Sequence, residues 1–153
     1  MVIKSLIVII GILFFLSLEY LFPKEKIEFK DKLSRIFKNI FFWLVNIGIT
    51  PIIILPITIY ATQFELHGLF KFENIIFNFL FQLIIIDIFL YWWHRLNHQI
   101  PFLWRFHHVH HLDETLDISS GVRFHFGEVI LSALIRSIII ITFNISIINL
   151  LLI

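Results

Sequence analysis

Four long apolar stretches separated by polar segments dominate the pattern of this chain. They cover residues 2–22, 39–62, 74–93 and 129–153. Each stretch is close to or above the ~20 residues that a helix needs to cross the hydrocarbon core of a bilayer. The pattern therefore predicts an all-α integral membrane bundle with about four transmembrane helices, built as a single domain over residues 1–153.

The first two stretches each carry a feature that bears on this prediction. Lys4 before the first apolar run is typical of a secretory signal peptide, but no small-residue cleavage site stands before Pro23, so a spanning helix is the better interpretation. Pro51 and Pro56 interrupt the second stretch. A membrane helix accommodates proline by kinking where neighbouring groups satisfy the freed carbonyls, so we expect this helix to be bent.

Composition indicates that lipid is the main solvent of the chain. Hydrophobic residues make up 59% of it and 19 residues are Phe, far above the usual share in soluble domains. The net charge of +1 implies no nucleic-acid partner. The absence of cysteine excludes disulfides, thiolate metal sites and cysteine nucleophiles, which leaves histidine as the main nitrogen ligand for a metal.

The distribution of basic residues predicts the orientation in the membrane. Six Lys and Arg residues fall in the segment 23–38, whereas the segment 63–73 contains only Lys71. The positive-inside rule places the first segment in the cytoplasm and the second outside, so the third helix returns inward. The histidine-rich segment 94–128 that follows is therefore expected to face the cytoplasm.

Seven of the eight histidines lie within residues 94–125, and five of them form two clusters with helical spacing. The clusters are His94 with His98, and His107 with His110 and His111. Residues three or four apart share one face of a helix with Cβ atoms about 6 Å apart, so their imidazoles reach a common point. Imidazole binds zinc, copper, iron and nickel, so the spacing predicts a transition-metal site without naming the metal.

Two further residues have weaker claims. Asp87 lies in the third apolar stretch on the helical face of His94, and an intramembrane carboxylate is a functional candidate that would accept an N–H from a ligating imidazole. A structural ion pair with Arg95 is the alternative, and Tyr91 either bonds the Asp87 carboxylate or anchors the interface. His67 stands alone in the second polar segment, where an ordinary surface histidine is the better interpretation.

These residues and their neighbours resemble a known family. The residues Asp87, Tyr91, Trp93, His94, Arg95, His98, Pro101, Trp104, His107, Val109, His110 and His111 resemble the fatty acid hydroxylase / sterol desaturase superfamily, as do Asp117, Arg123, His125 and Glu128 after them. The resemblance covers residues 87–128. Phe126 stands where many relatives have proline, and Leu112 where they often have serine.

The resemblance implies a membrane-bound non-haem di-iron oxygenase that hydroxylates or desaturates a fatty acyl or sterol-like C–H bond with O2. It implies two iron ions, with zinc as a substitute, held by His94, His98, His107, His110 and His111, with His125 as a weaker ligand. Arg123 and Glu128 would support the site or the substrate channel. Because no flavin or nicotinamide motif is present, the electrons would come from a partner such as a cytochrome or ferredoxin with its reductase.

One departure from the family pattern bears on activity. The family has a third box of the histidine-x-x-histidine-histidine kind, and no histidine follows His125 here. Two irons need roughly six to ten nitrogen or oxygen ligands between them. We therefore expect the chain to be the front part of a longer enzyme, truncated before its last ligands. The alternative is an inactive or truncated membrane fragment with a structural or vestigial zinc or iron site.

A haem protein is a further alternative for the histidines. Bis-histidine haem ligation needs one histidine on each of two helices at matched depth. These histidines cluster within single turns instead, which argues against haem.

Overall fold

The computed structural model describes residues 2–22, 29–64, 70, 72–113 and 117–153. These residues are mainly helical and include no strand, so the all-α prediction is confirmed. The helices are α1 (Val2–Leu21), α2 (Phe29–Ile49), α3 (Leu55–Thr62), α4 (Ile75–Gln99), α5 (Pro101–His111), α6 (Phe126–Thr142) and α7 (Ile147–Leu152). His67 lies outside the described residues, so its interpretation stays a prediction.

Two helices are long and apolar enough to cross a membrane, Lys30–Thr62 and Ile75–Gln99. Together with a shorter apolar helix over Ile10–Leu21 they indicate that the chain associates with a membrane. The search covers the described residues alone, and within them it supports two spanning helices rather than the predicted four.

The first of these long helices joins α2 to α3 without a break. A π-helical turn over Thr50–Ile54 connects the two segments and contains Pro51. Proline has no N–H to donate to the preceding turn, and a wider π turn is one way for a helix to continue past this defect. The interruption expected at Pro51 therefore takes the form of a change in helix type.

Local sequence signals set both ends of α4. The Asn74 side chain caps its start by accepting hydrogen bonds from the N–H groups of Ile76 and Phe77, each at 3.0 Å. The helix ends before Pro101, because the residue that precedes a proline is driven to the extended conformation observed at Ile100. Since α4 runs six residues past the apolar stretch, its last two turns carry His94 and His98.

The apolar stretch 129–153, predicted as one helix from the sequence, contains the end of one helix and a second, shorter one. The helix α6 ends at Thr142, and the chain turns through Asn144, whose φ of 51° lies in the left-handed region that Asn tolerates. The Gln82 side chain of α4 is buried against this turn and donates to the Asn144 carbonyl at 3.1 Å. Irregular backbone survives in apolar surroundings only where protein groups satisfy it, and Gln82 supplies such a group.

Helix packing brings the histidine segments to one end of the molecule. The helix α5 contacts α4 and α6, while α6 also packs along α3 and α2. A small apolar core of Ala61, Ile86, Ile140 and Ile145 lies where α3, α4 and α6 meet. This core fixes α6 beside α4, so that the start of α6 reaches the histidines at the end of α4.

Candidate metal centre

The last two turns of α4 present the first pair of imidazoles. His94 and His98 are one helical turn apart, and their Nε2 atoms lie 3.2 Å from each other. Both side chains are exposed. The helix therefore holds two ring nitrogens directed at the same point, as the spacing predicted.

The helix α5 brings a third imidazole to this point. The extended Ile100 separates α4 from α5. The two helices pack against each other, and His107 lies beside the first pair. The ring centroids of His94, His98 and His107 are 4.8 Å apart in all three combinations. Their ligand nitrogens all lie within 4.8 Å of one another, which is a geometry that can hold a metal ion.

His111 extends this group from the next turn of α5. Its Nε2 atom lies 3.2 Å from the Nε2 atom of His107, and its ring centroid is 4.8 Å from that of His98. Four of the six predicted ligands, His94, His98, His107 and His111, are thus brought together.

Glu128 holds the buried member of the group. The Oε1 atom of Glu128 lies 2.8 Å from Nδ1 of His107. His107 is only 1% exposed. Burial, reinforced by the neighbouring imidazoles, lowers the pKa of His107 to about 4. Burial also raises the pKa of Glu128. We assign a neutral His107 with its proton on Nδ1, donating to Glu128, which leaves Nε2 free to bind a metal.

A metal ion fits the nitrogens of these residues. Two nitrogens 3.2 Å apart that each lie about 2.1 Å from one ion subtend about 100° at it, between the octahedral and tetrahedral angles. Neutral imidazole is a suitable ligand for iron, zinc, copper and nickel. The arrangement therefore supports a transition-metal site without selecting the metal.

The remaining two predicted ligands lie beside the group. The His110 ring stacks on Phe124 at 4.7 Å and 6°, and its Nδ1 atom is buried without a hydrogen-bond partner in the described part of the chain. A buried nitrogen of this kind calls for an additional polar neighbour or a metal. His125 instead caps α6, since its Nδ1 accepts the N–H of Gly127 at 3.0 Å.

The supporting residues fall in different places. Asp87, which was expected to accept an N–H from a ligating imidazole, is exposed on α4. Among the described residues, it is Glu128 whose carboxylate bonds to an imidazole of the group. The Tyr91 hydroxyl accepts a hydrogen bond from Arg95 at 3.2 Å. Within the described residues, neither Tyr91 nor Arg95 forms a hydrogen bond or salt bridge with Asp87. Arg123 is buried, with its NH1 atom 3.5 Å from Oδ1 of Asn39.

A buried polar network next to the histidines was missed from the sequence. Asp113, two residues after His111, accepts hydrogen bonds from Nε of Arg35 at 2.6 Å and from Nδ2 of Asn39 at 3.0 Å. Its side chain is 1% exposed. The bonds from Arg35 and Asn39 lower the pKa of Asp113, although its burial alone would raise it. From the sequence, Arg35 was one of six basic residues in the segment 23–38, and the i, i+4 spacing of Arg35 and Asn39 was the one local signal.

A cavity of about 430 Å³ lies between α4 and α6 beside His94. His94, Asn97 and Glu128 line one part of it, Leu90 and Trp93 are among its apolar walls, and Ser132 and Arg136 continue the lining along α6. Ligand pockets commonly measure 300–1,000 Å³ and combine apolar walls with a few polar groups. The cavity matches this description and borders the metal-binding group.

Comparison with known proteins agrees with this arrangement. The family model described as fatty acid hydroxylase matches residues 79–153. None of the curated proteins and none of the solved structures compared with the chain matches it. The matched segment contains both histidine clusters, Glu128 and Arg136. Residues 79–153 therefore match the fatty acid hydroxylase family, which is consistent with the fatty acid hydroxylase / sterol desaturase superfamily.

Proposed function

We propose that this protein is a membrane-bound non-haem di-iron oxygenase that hydroxylates or desaturates a fatty acyl or sterol-like C–H bond with O2. The family match supports an enzyme of the oxidoreductase type. The observation that carries the proposal is the convergence of His94, His98 and His107 on one point, with Glu128 fixing the buried ring.

Each residue has a definite task in this proposal. Iron, when bound, supplies the activation of O2 toward a C–H bond. His94, His98, His107 and His111 bind the metal through their ring nitrogens, and His110 is a fifth ligand after rotation of its ring away from Phe124. Glu128 keeps the proton of His107 on Nδ1 and makes Nε2 a better donor. The cavity beside His94 holds the lipid chain and excludes water from it.

The proposal also includes an orientation and a partner. The exposed basic residues Arg95 and Arg105 lie at the same end of the molecule as the histidines, which supports a cytoplasmic site by the positive-inside rule. Two electrons per turnover would come from a cytochrome or ferredoxin with its reductase, since O2-dependent oxidation of a C–H bond by a di-iron site needs them from outside.

A single-metal site is the second candidate. Within the described residues, the group whose nitrogens all lie within 4.8 Å of one another is His94, His98 and His107. A structural zinc ion takes four protein ligands, and His111, whose Nε2 lies 3.2 Å from that of His107, would complete such a set. The protein would then hold a structural or vestigial zinc or iron ion and oxidise no lipid.

Metal content and lipid products distinguish the two candidates. The purified full chain is loaded anaerobically with Fe²⁺, its bound iron and zinc are counted by mass spectrometry, and lipids are extracted after reduction and exposure to O2. Two irons per chain and a lipid that has gained one oxygen or lost two hydrogens support the oxygenase. One metal per chain with unchanged lipids supports the second candidate and contradicts the first.

A further inference from the structure

The cavity beside His94 contains a cation that the metal site does not use. Arg136 lines this cavity from α6, and the six residues on either side of it include no Asp, Glu, Lys or His. An arginine keeps its charge even when it is buried. Its presence in an apolar helix therefore needs an explanation beyond helix packing.

No acidic side chain of the described residues forms a salt bridge with Arg136. The ion pairs of the described residues involve Arg35, Arg123 and His107, and these lie in the histidine segment and its contact with α2. Asp87 stands at a comparable distance from the histidines along α4, but it is exposed and forms no salt bridge with Arg136. A charge in apolar surroundings is costly unless it is paired, so a ligand is the natural source of the missing anion.

Helix geometry places Arg136 at a distance from the metal-binding group. Glu128, Ser132 and Arg136 are spaced four residues apart, so all three lie along one face of α6 and line the cavity. Eight residues of α-helix correspond to about 12 Å along the axis. The histidines and the guanidinium are therefore separated along the cavity, and apolar side chains such as Leu90 and Val129 line it as well.

The end of the cavity near the histidines also has unused polar atoms. Nδ2 of Asn97 and Oε2 of Glu128 are buried, and neither has a hydrogen-bond partner in the part of the chain that the structure describes. Both residues line the cavity, with exposures of 1% and 7%. Buried polar atoms are nearly always bonded, so this end is suited to a polar or reacting group, and Arg136 to a charged one.

From this arrangement we propose that Arg136 is a substrate-selecting residue: it binds the anionic group of an amphiphilic lipid whose chain extends along the cavity toward His94. The ligand class is a long alkyl chain with one anionic group, either a carboxylate or a phosphate. The inference rests on the proposed function, because it assigns the cavity to the substrate of that site. It also implies that the carbon facing the histidines is remote from the anionic group.

The test measures lipid binding to the metal-free full chain in detergent. Trp93 lines the cavity, so a fatty acid brominated in mid-chain quenches its fluorescence on binding, and the Trp93→Phe variant reports quenching at other tryptophans. The titration is repeated with the methyl ester of the same acid and with a brominated lysophosphatidic acid. The variants are Arg136→Leu, Arg136→Lys and the control Arg105→Leu, which removes an exposed arginine from α5.

The expected result is that Arg136→Leu weakens binding of the anionic lipid by about tenfold or more and leaves ester binding unchanged. Arg136→Lys should retain most of the affinity, and Arg105→Leu all of it. Whether the carboxylate or the phosphate shows the larger loss identifies the anionic group. Equal binding of acid and ester by the wild type, or equal binding of the acid by wild type and Arg136→Leu, would overturn the inference.

A folding defect in Arg136→Leu does not obscure the outcome, because the methyl ester reports an intact cavity in the same sample. The result is also separable from the proposed function, since it needs no metal and no turnover. Selective loss of acid binding without any oxidised product would reject the oxygenase and keep the subsite. An oxidised product together with unchanged lipid binding by Arg136→Leu would keep the oxygenase and reject the subsite.

Discussion

At the scale of single residues, Glu128 decides how His107 is presented to a metal. Its carboxylate lies 2.8 Å from Nδ1 of this ring. Replacing it by leucine should weaken the binding of Fe²⁺ or Zn²⁺ by about 10–100-fold, because the ring loses both its fixed tautomer and the basicity that the carboxylate gives it. Glu128→Gln, which keeps an oxygen acceptor, should fall between this variant and wild type. Competition titrations with a chelating dye measure the affinities.

The matched control for this prediction is Glu73→Gln, which removes an exposed carboxylate just before the start of α4. It should bind metal as wild type does. If Glu128→Leu bound the metal with wild-type affinity, the bond to His107 would be unrelated to the metal site. A uniform loss in all three variants would indicate a general effect of charge instead.

At the scale of elements, the contact between α2 and the segment after α5 depends on one buried carboxylate. Asp113 accepts hydrogen bonds from Arg35 and Asn39 of α2. The substitution Asp113→Asn should lower the free energy of unfolding by roughly 2–4 kcal/mol, because the half-buried Arg35 loses its main counter-charge. Thermal unfolding of the purified chain in detergent measures the effect. Lys38→Gln, an exposed change in the middle of the same helix, should leave the midpoint unchanged, and an equal midpoint in Asp113→Asn would contradict the prediction.

The turn between α6 and α7 should depend for its stability on the buried Gln82 side chain. The Gln82 side chain donates a hydrogen bond to the Asn144 carbonyl at 3.1 Å and accepts one from Nδ2 of Asn149 at 2.8 Å. Gln82→Leu keeps the volume but leaves these groups unsatisfied, at a cost of about 1–3 kcal/mol. Hydrogen exchange of residues 143–149 should become faster, while exchange in α5 should not change. The exposed Gln63→Leu serves as the control, and unchanged exchange at the turn in Gln82→Leu would show that the turn is held by other contacts.

At the scale of the whole molecule, local spacing was predictable from the sequence and long-range pairing was not. The i, i+4 spacing of His94 and His98 needed only a helix to become a ligand pair. The bond between Arg35 and Asp113 joins residues 78 positions apart, and that between Gln82 and Asn144 joins residues 62 apart. Hydropathy does not report which helices pack together, so it predicted neither contact. It also extended the fourth helix through Asn144, because a single polar residue is a weak break in an apolar run.

Orientation in the membrane is the last property of the whole chain that can be tested directly. The positive-inside rule predicts that Lys32 lies in the cytoplasm and Glu73 outside. Because the chain has no cysteine, the variants Lys32→Cys, Glu73→Cys and Arg105→Cys each carry one thiol. A membrane-impermeant maleimide added to intact cells should label Glu73→Cys alone, since the other two thiols face the cytoplasm. All three should react after lysis, and wild type should not react at all. Labelling of Arg105→Cys in intact cells would place the histidines outside and exclude a cytoplasmic electron donor.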